Sequence, residues 1–462
     1  MQAFQLDPGC PVEASRDTLL DVFKAWLADS ARKNRAIPWK GVHDEGTYLT
    51  SWREYYMHIR DPAVVDYARD MLGKADAWMK ANLVDGYRPK AEVHHGVEHY
   101  IIFLAWIHEL DPDEPVHARQ LRDAAANILS DVPGRASWYD PATIRFTSTH
   151  LGSRVVNVDN GVNIAEHLRI IRLAWLGLAS GGNPELAAVI KHYATKWATQ
   201  ITESNTIPVY LDEFSEKDPE RRERNAALFD RVAESFVGAQ PKEITRSTRS
   251  EIHVANGTPD LFLTLNEITG KRIFLDAAER IVEPILDELR VPHAHPIGEL
   301  AWRLYKARRL PGIADIAGQI RDQVDAIDGT APITLQFKAA TRQYRKKYAN
   351  TIGMRKDMPL VEIKARGTRK TIEVPSPATF CLLYRLFHEK KHLQMSLEFA
   401  RAVLLEARSC YPEGRDHGCS SRMVHSFCIG HGRNWGAGYT STALRAALDD
   451  TTYGIELPRI KI

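Results

Sequence analysis

Long apolar runs are missing from this chain of 462 residues. None approaches the roughly 18 residues that a membrane span needs, which argues against a membrane partner. The opening residues, MQAFQLDPGCPVEASRD, lack the basic and apolar stretches of a secretory signal. The chain is then cytoplasmic if native from Met1, or periplasmic or secreted if a signal was removed; the sequence leaves both open. Cysteine is scarce and loosely spaced: Cys10, Cys381, Cys410, Cys419 and Cys428, with no Cys-x-x-Cys pair. That excludes a disulfide framework and favours free thiols. A zinc site of Cys410, Cys419 and Cys428 with His417, His425 and His431 is the alternative. Charge imbalance is missing too. Lys and Arg number 61 against 59 Asp and Glu, for a net charge of +2, so nothing points to a nucleic-acid polymer as partner. A local basic cleft for an acidic substrate stays compatible with that balance.

The chain does carry a recurring unit: an apolar helix, a break with Gly, Pro or Asp, then an amphipathic helix. It spans 52–79, 98–129, 165–201, 260–289, 298–324 and 379–407. The second helix of each unit places apolar residues at i, i+3, i+4 and i+7, which makes one buried stripe. First helices are apolar nearly all round, as in the run Ile101 to Ile107. They should form an inner packed ring, with the second helices outside. Stacked hairpins give a solenoid or a closed ring. Irregular spacing and long polar connections favour closure. The expected fold is mainly α: a single-domain (α/α) barrel or toroid of about six hairpins over residues 1–462. A small β insertion is expected at about 331–375, where 331–339, 359–366 and 369–374 alternate polar and apolar residues. The basic stretch 342–356 between its strands reads as a solvated loop or as a lid over an anionic substrate.

Polar residues gather where first helices begin: 92–100, 148–163, 245–260 and 417–439. Helix starts carry positive partial charge and free N–H groups, so a ring of them favours an anion. These loops are rich in His, Arg and Asn and poor in paired carboxylates. Proton removal beside a carboxylate, as in uronate β-elimination, needs that inventory: Asn, His or Arg to neutralise the carboxylate, a His or Tyr base, and a Tyr acid. Glycoside hydrolysis instead needs two opposed carboxylates, for which Glu98, Asp159, Glu251 and Asp260 are available.

His253, Tyr439 and His95 are the candidate catalytic residues, with Tyr100 and Tyr139 as rival tyrosines. Asn157, Asn160, Arg249, Asn256, Arg433, Trp435 and His99 are the candidates for binding substrate. Asn256-Gly257 also reads as the cap and turn before the next helix. One of Asn157, Asp159 and Asn160 is an ordinary cap, and the others are left to bind. In GHGRNWGAGY, Trp435 could stack on a sugar ring and Arg433 pair with a carboxylate. His95-Gly96-Val97-Glu98-His99 matches the His-x-x-Glu-His pattern of inverted zinc peptidases. The helical surroundings and Gly96 speak against that chemistry. A divalent metal on His95 and His99 is the alternative to a site without cofactor.

Repeated hairpins with His/Asn/Arg/Tyr-rich loops and a late β segment resemble the (α/α)-toroid polysaccharide lyases that cleave uronate-containing chains. The resemblance covers about residues 45–450 at the level of architecture, without the large C-terminal β-sandwich of many such lyases. It implies a lyase acting on an acidic oligo- or polysaccharide. A hydrolase or epimerase on the same barrel is the enzymatic alternative, and a helical-repeat interaction scaffold the non-enzymatic one. Oligomeric state is left open.

Overall fold

The computed structural model describes residues 3–6, 11–36, 49–154, 162–211, 246–290, 297–325, 333–339, 359–365, 371–373, 377–409 and 439–447, with isolated positions at 38, 39, 46, 458 and 460. These residues are mainly helical, and both helices of each of the six expected units are present. The first is α2 (Arg53–Ile59) with α3 (Pro62–Asn82). Next comes α4, a continuous run of α-helix Val93–Glu98, π-helix His99–Leu104 and α-helix Ala105–Leu110, with α5 (Pro115–Ala125). Then follow α6 (Leu168–Ala179) with α7 (Leu186–Glu203). After α8 (Arg246–Ala255) come α9 (Thr258–Thr269) with α10 (Arg272–Val282), and α11 (Ile297–Lys306) with α12 (Gly312–Asp325). The last hairpin is α13 (Pro377–Phe387) with α14 (Lys390–Ser409).

Local chemistry sets the breaks. Asp61 precedes Pro62, and its side chain accepts from the Ala63 N–H at 3.0 Å to cap α3. Glu114 does the same for α5, accepting from Val116 N–H at 3.1 Å ahead of Pro115. Proline suits a first helical position, where its missing N–H costs nothing. Gly270 ends α9 at φ 67°, a left-handed cap that a Cβ would strain.

Burial follows the expected division. Every residue of α6 from Leu168 to Gly177 is buried, Arg169 and Arg172 included. On α3 only the stripe Val64, Tyr67, Ala68, Met71, Leu72 and Ala75 is. Adjacent hairpins pack along the chain, α5 on α6, α7 on α10, and α11 on α13. The starts of α11 and α13 meet so closely that a Cβ on Gly298 would lie 2.3 Å from the Ala378 carbonyl oxygen.

Besides α8, two α-helices of the described residues lie outside the six expected units. The N-terminal α1 (Val12–Arg35) buries Leu19, Leu20, Phe23, Trp26 and Leu27, and packs on α14 and α3. The C-terminal α15 (Tyr439–Ala447) packs on α13, α14 and α2. The first and last hairpins therefore share neighbours contributed by both ends of the chain.

The β segment is present as strands β4 (Ile333–Ala339), β5 (Pro359–Ala365) and β6 (Thr371–Glu373). They pair antiparallel, with Leu335 opposite Ile363 and Ile363 opposite Ile372. An unexpected strand β1 (Ala3–Leu6) adds to the β4 edge. A two-residue ladder, β2 (Tyr139–Asp140) with β3 (Arg145–Phe146), lies apart from this sheet. The stretch 342–356 lies outside the described residues. No helix among the described residues is long and apolar enough to cross a membrane.

Candidate functional site

Of the four polar clusters read from the sequence, that at 417–439 is described only at Tyr439, and side chains bring two of the others together at α6. Arg169, in the first turn of α6, is 1% exposed. Its Nη1 donates to Glu98 Oε1 of α4 at 2.7 Å, and its Nε donates to Asn256 Oδ1, just before α9, at 2.9 Å. One turn further, Arg172 Nη2 donates to the Gly257 carbonyl at 3.3 Å. Asp260 on α9 pairs with Arg303 of α11 at 3.4 Å, and Arg303 also reaches Glu267 at 2.9 Å. Burial pushes Arg172 down to about 10, and the nearby Arg303 and Arg169 guanidiniums add to this against the pull of Asp260. Three guanidiniums thus converge from two first helices, a disposition suited to an anion.

Similar buried links join other first helices. Glu299 of α11 accepts from Arg385 of α13 at 2.9 Å on both oxygens. Arg53 at the start of α2 holds Glu54 at 2.6 Å and Glu109 of α4 at 2.7 Å. Arg445 of α15 lies 3.8 Å from Glu54. Removing one partner from such a pair would strand a buried charge, so each link holds its helices in register.

The start of α4 also reaches solvent. Glu92 forms an isolated bridge with His150, and the Val93 N–H donates to the Thr149 carbonyl at 3.3 Å. His95, 47% exposed, places Nδ1 3.1 Å from Glu92 Oε2. Three residues along the same helix, Glu98 leads inward to Arg169. Glu98 thus ties the buried Arg169 to the helix that carries the exposed His95.

Several sequence candidates take other places. His253 is fully buried and spends both ring nitrogens on the protein. Nε2 donates to the Pro208 carbonyl at 2.7 Å, and Nδ1 accepts from the Thr258 hydroxyl at 3.2 Å. Its ring meets Trp197 of α7 edge-on. Burial pushes its pKa down to about 4, so it is a neutral, structural histidine and not the expected base. Asn256 does not cap α9 with its side chain. That position belongs to Gly257 at φ 69°, while Asn256 ties Arg169 to the Ile252 carbonyl. Arg249 donates to the Ile207 carbonyl at 3.0 Å and is spent on backbone.

His99 is buried among Trp39, Tyr100 and Phe103, whereas His95 faces out, so the two do not present one metal site. Tyr100 donates to the Gly86 carbonyl at 2.5 Å, and burial raises its pKa well above the usual phenol range. Burial, with Asp140 nearby, pushes Tyr139 up to about 12. Glu251 is buried, and Glu98 and Asp260 are each engaged by an arginine. Tyr439 opens α15, though its side chain lies outside the described residues, as do Asn157, Asp159, Asn160, Arg433 and Trp435. The Cys410, Cys419 and Cys428 grouping also falls outside them.

The residues that sequence reasoning overlooked are Arg169, Arg172 and Arg303. Their signal was available for α6: two arginines three apart in LRIIRLAWLGLA, an otherwise apolar helix. Compared with protein-family models, with curated proteins and with solved structures, the chain matches none.

Proposed function

We propose that the chain is an (α/α) toroid whose ring of first-helix starts binds an acidic sugar and cleaves it by β-elimination. Closure of the ring is supported by α15 against α2 and by α1 between α14 and α3. The observation that carries the functional reading is the gathering of Arg169, Arg172 and Arg303, of which Arg169 is tied through Glu98 to the helix that carries the exposed His95. Arg169 and Arg303 already answer Glu98, Asp260 and Glu267, so on this reading Arg172, which donates to a backbone carbonyl, is the cation assigned to neutralise a uronate carboxylate and tolerate the carbanion-like state formed when the C5 proton leaves. His95, which meets Glu92 at the surface, is the residue we assign to take that proton, and Tyr439 at the start of α15 the residue we assign to protonate the leaving oxygen. No cofactor is part of this scheme.

The test is a screen of glucuronan, alginate, pectate and glycosaminoglycans for products with a conjugated C4–C5 double bond, which absorbs near-ultraviolet light. Elimination gives that absorbance, and the His95→Ala variant loses it while melting at the wild-type temperature. New reducing ends without absorbance would replace the lyase reading with hydrolysis. Turnover that survives in His95→Ala would remove His95 from the mechanism.

A further inference from the structure

We propose that Asp325, Glu389 and His392 form a site for a zinc-class divalent cation, which takes the place of the Lys391 ammonium and staples the end of α12 to the start of α14. The three side chains come from two parts of the chain. Asp325 is the last residue of α12, Glu389 immediately precedes α14, and His392 lies in its first turn. One ligand atom from each lies within 4.8 Å of the other two. Zinc bonds to imidazole nitrogen and carboxylate oxygen are about 2.0–2.2 Å long and tetrahedrally disposed, so two ligands on one ion stand about 3.4 Å apart. The set must close by at most about 1.4 Å, a movement within the range of side-chain rotation.

Two observations separate this cluster from an ordinary group of surface acids. First, a cation already sits between the carboxylates: Lys391 Nζ lies 2.8 Å from both Asp325 Oδ1 and Glu389 Oε2. Lys391 is 45% exposed on a flexible stem, so it can swing to solvent and leave both oxygens to another ion. Second, the His392 side chain is fully buried, yet neither ring nitrogen has a hydrogen-bond partner among the described residues. Its Nε2 lies 3.7 Å from Asp325 Oδ1, too far for a hydrogen bond but aimed into the cluster. A buried polar atom left so is costly, and coordination would satisfy it. A mixed nitrogen and oxygen donor set suits zinc better than magnesium or calcium.

The experiment is calorimetric titration of the full chain, stripped with chelator, with zinc chloride. The wild type should bind zinc at a site that Asp325→Asn and His392→Gln each weaken tenfold or more. Lys391→Met should tighten the same site, because it removes the competing ammonium. Zinc should raise the Tm of the wild type and leave that of Asp325→Asn unchanged. Asp325 is partly exposed at a helix end, so its variant tests the site even if His392→Gln fails to fold. Absence of zinc binding by the wild type overturns the proposal. So does binding that Asp325→Asn leaves at wild-type strength.

Discussion

Two helix starts look alike in the sequence and differ in the structure. His95 and His253 each stand in a polar stretch just before an apolar first helix. At α8–α9 the outer helix α7 covers the start: Trp197 packs on the ring, and Pro208 and Thr258 use up its nitrogens. At α4 the His95 side chain is about half exposed, with Nδ1 3.1 Å from Glu92 Oε2. What surrounds a helix start, not the residue type standing there, decides whether a histidine supports the fold or meets a substrate. The arginine lattice lies between these extremes, since it is buried like His253 yet continuous with the His95 helix through Glu98.

The largest effect should come from breaking that lattice. Arg169→Met leaves the Glu98 carboxylate buried without its cation and Asn256 Oδ1 without its donor. A loss of about 3–5 kcal/mol is expected, read as a lower midpoint in urea denaturation. Adding Glu98→Gln should restore much of it, because the stranded charge goes with it. If the single and double variants are equally unstable, the cost lies in packing and the comparison between lattice and rim loses its electrostatic basis.

His253 comes next and carries a pH signature. Its folded pKa, about 4, lies below the ordinary value of 6.5. Between those values the unfolded chain takes up a proton that the folded chain refuses. The stability is therefore complete above about pH 6.5 and is lost as pH falls toward 4. The total is roughly 3 kcal/mol by linkage. His253→Gln should flatten the stability profile across that window. A wild-type profile already flat there would show that the ring accepts a proton in place.

Tyr100→Phe should be milder. It removes one hydroxyl that donates to the Gly86 carbonyl, at a cost of about 1 kcal/mol. Turnover should persist, because the hydroxyl serves the turn at Gly86 and not a substrate. Lost turnover with unchanged stability would return Tyr100 to the list of acids.

Much of the fold was legible in the sequence, because hairpin helices announce themselves by period and by their breaks. Asp61-Pro62 and Glu114-Pro115 end one helix and cap the next within a few residues. The β segment was legible from alternation. By contrast, α1 and α15 lie apart in the chain and meet their neighbours only through its two ends, which no local pattern records. The same holds for β1, whose partner strand is more than three hundred residues away. The site was legible in part. Glu98, Asn256 and Asp260 stood out as polar residues at helix starts, but their use depends on Arg169 and Arg303, which come from neighbouring helices. Arg249 and His253 stood out for the same reason and proved to hold backbone carbonyls. Period and composition identify which residues lie at a helix start; they do not say which outer helix will cover it.

The smallest effect on stability, and the sharpest test of the comparison, belongs to His95. Its side chain is half exposed and meets Glu92 at the surface. A surface pair of this kind contributes little, so His95→Ala should stay within about 0.5 kcal/mol of wild type. The Gly96 N–H, beside it, donates to the Glu92 carbonyl at 2.9 Å, so the backbone of this turn is held without the imidazole. A catalytic histidine would leave the melting curve unmoved while product absorbance disappears. His95→Gln keeps a hydrogen-bonding group at the same place without a base of useful strength, and should be as inactive as alanine. If His95→Gln instead retains turnover, the residue positions the substrate, and the proton must leave to another group on the rim.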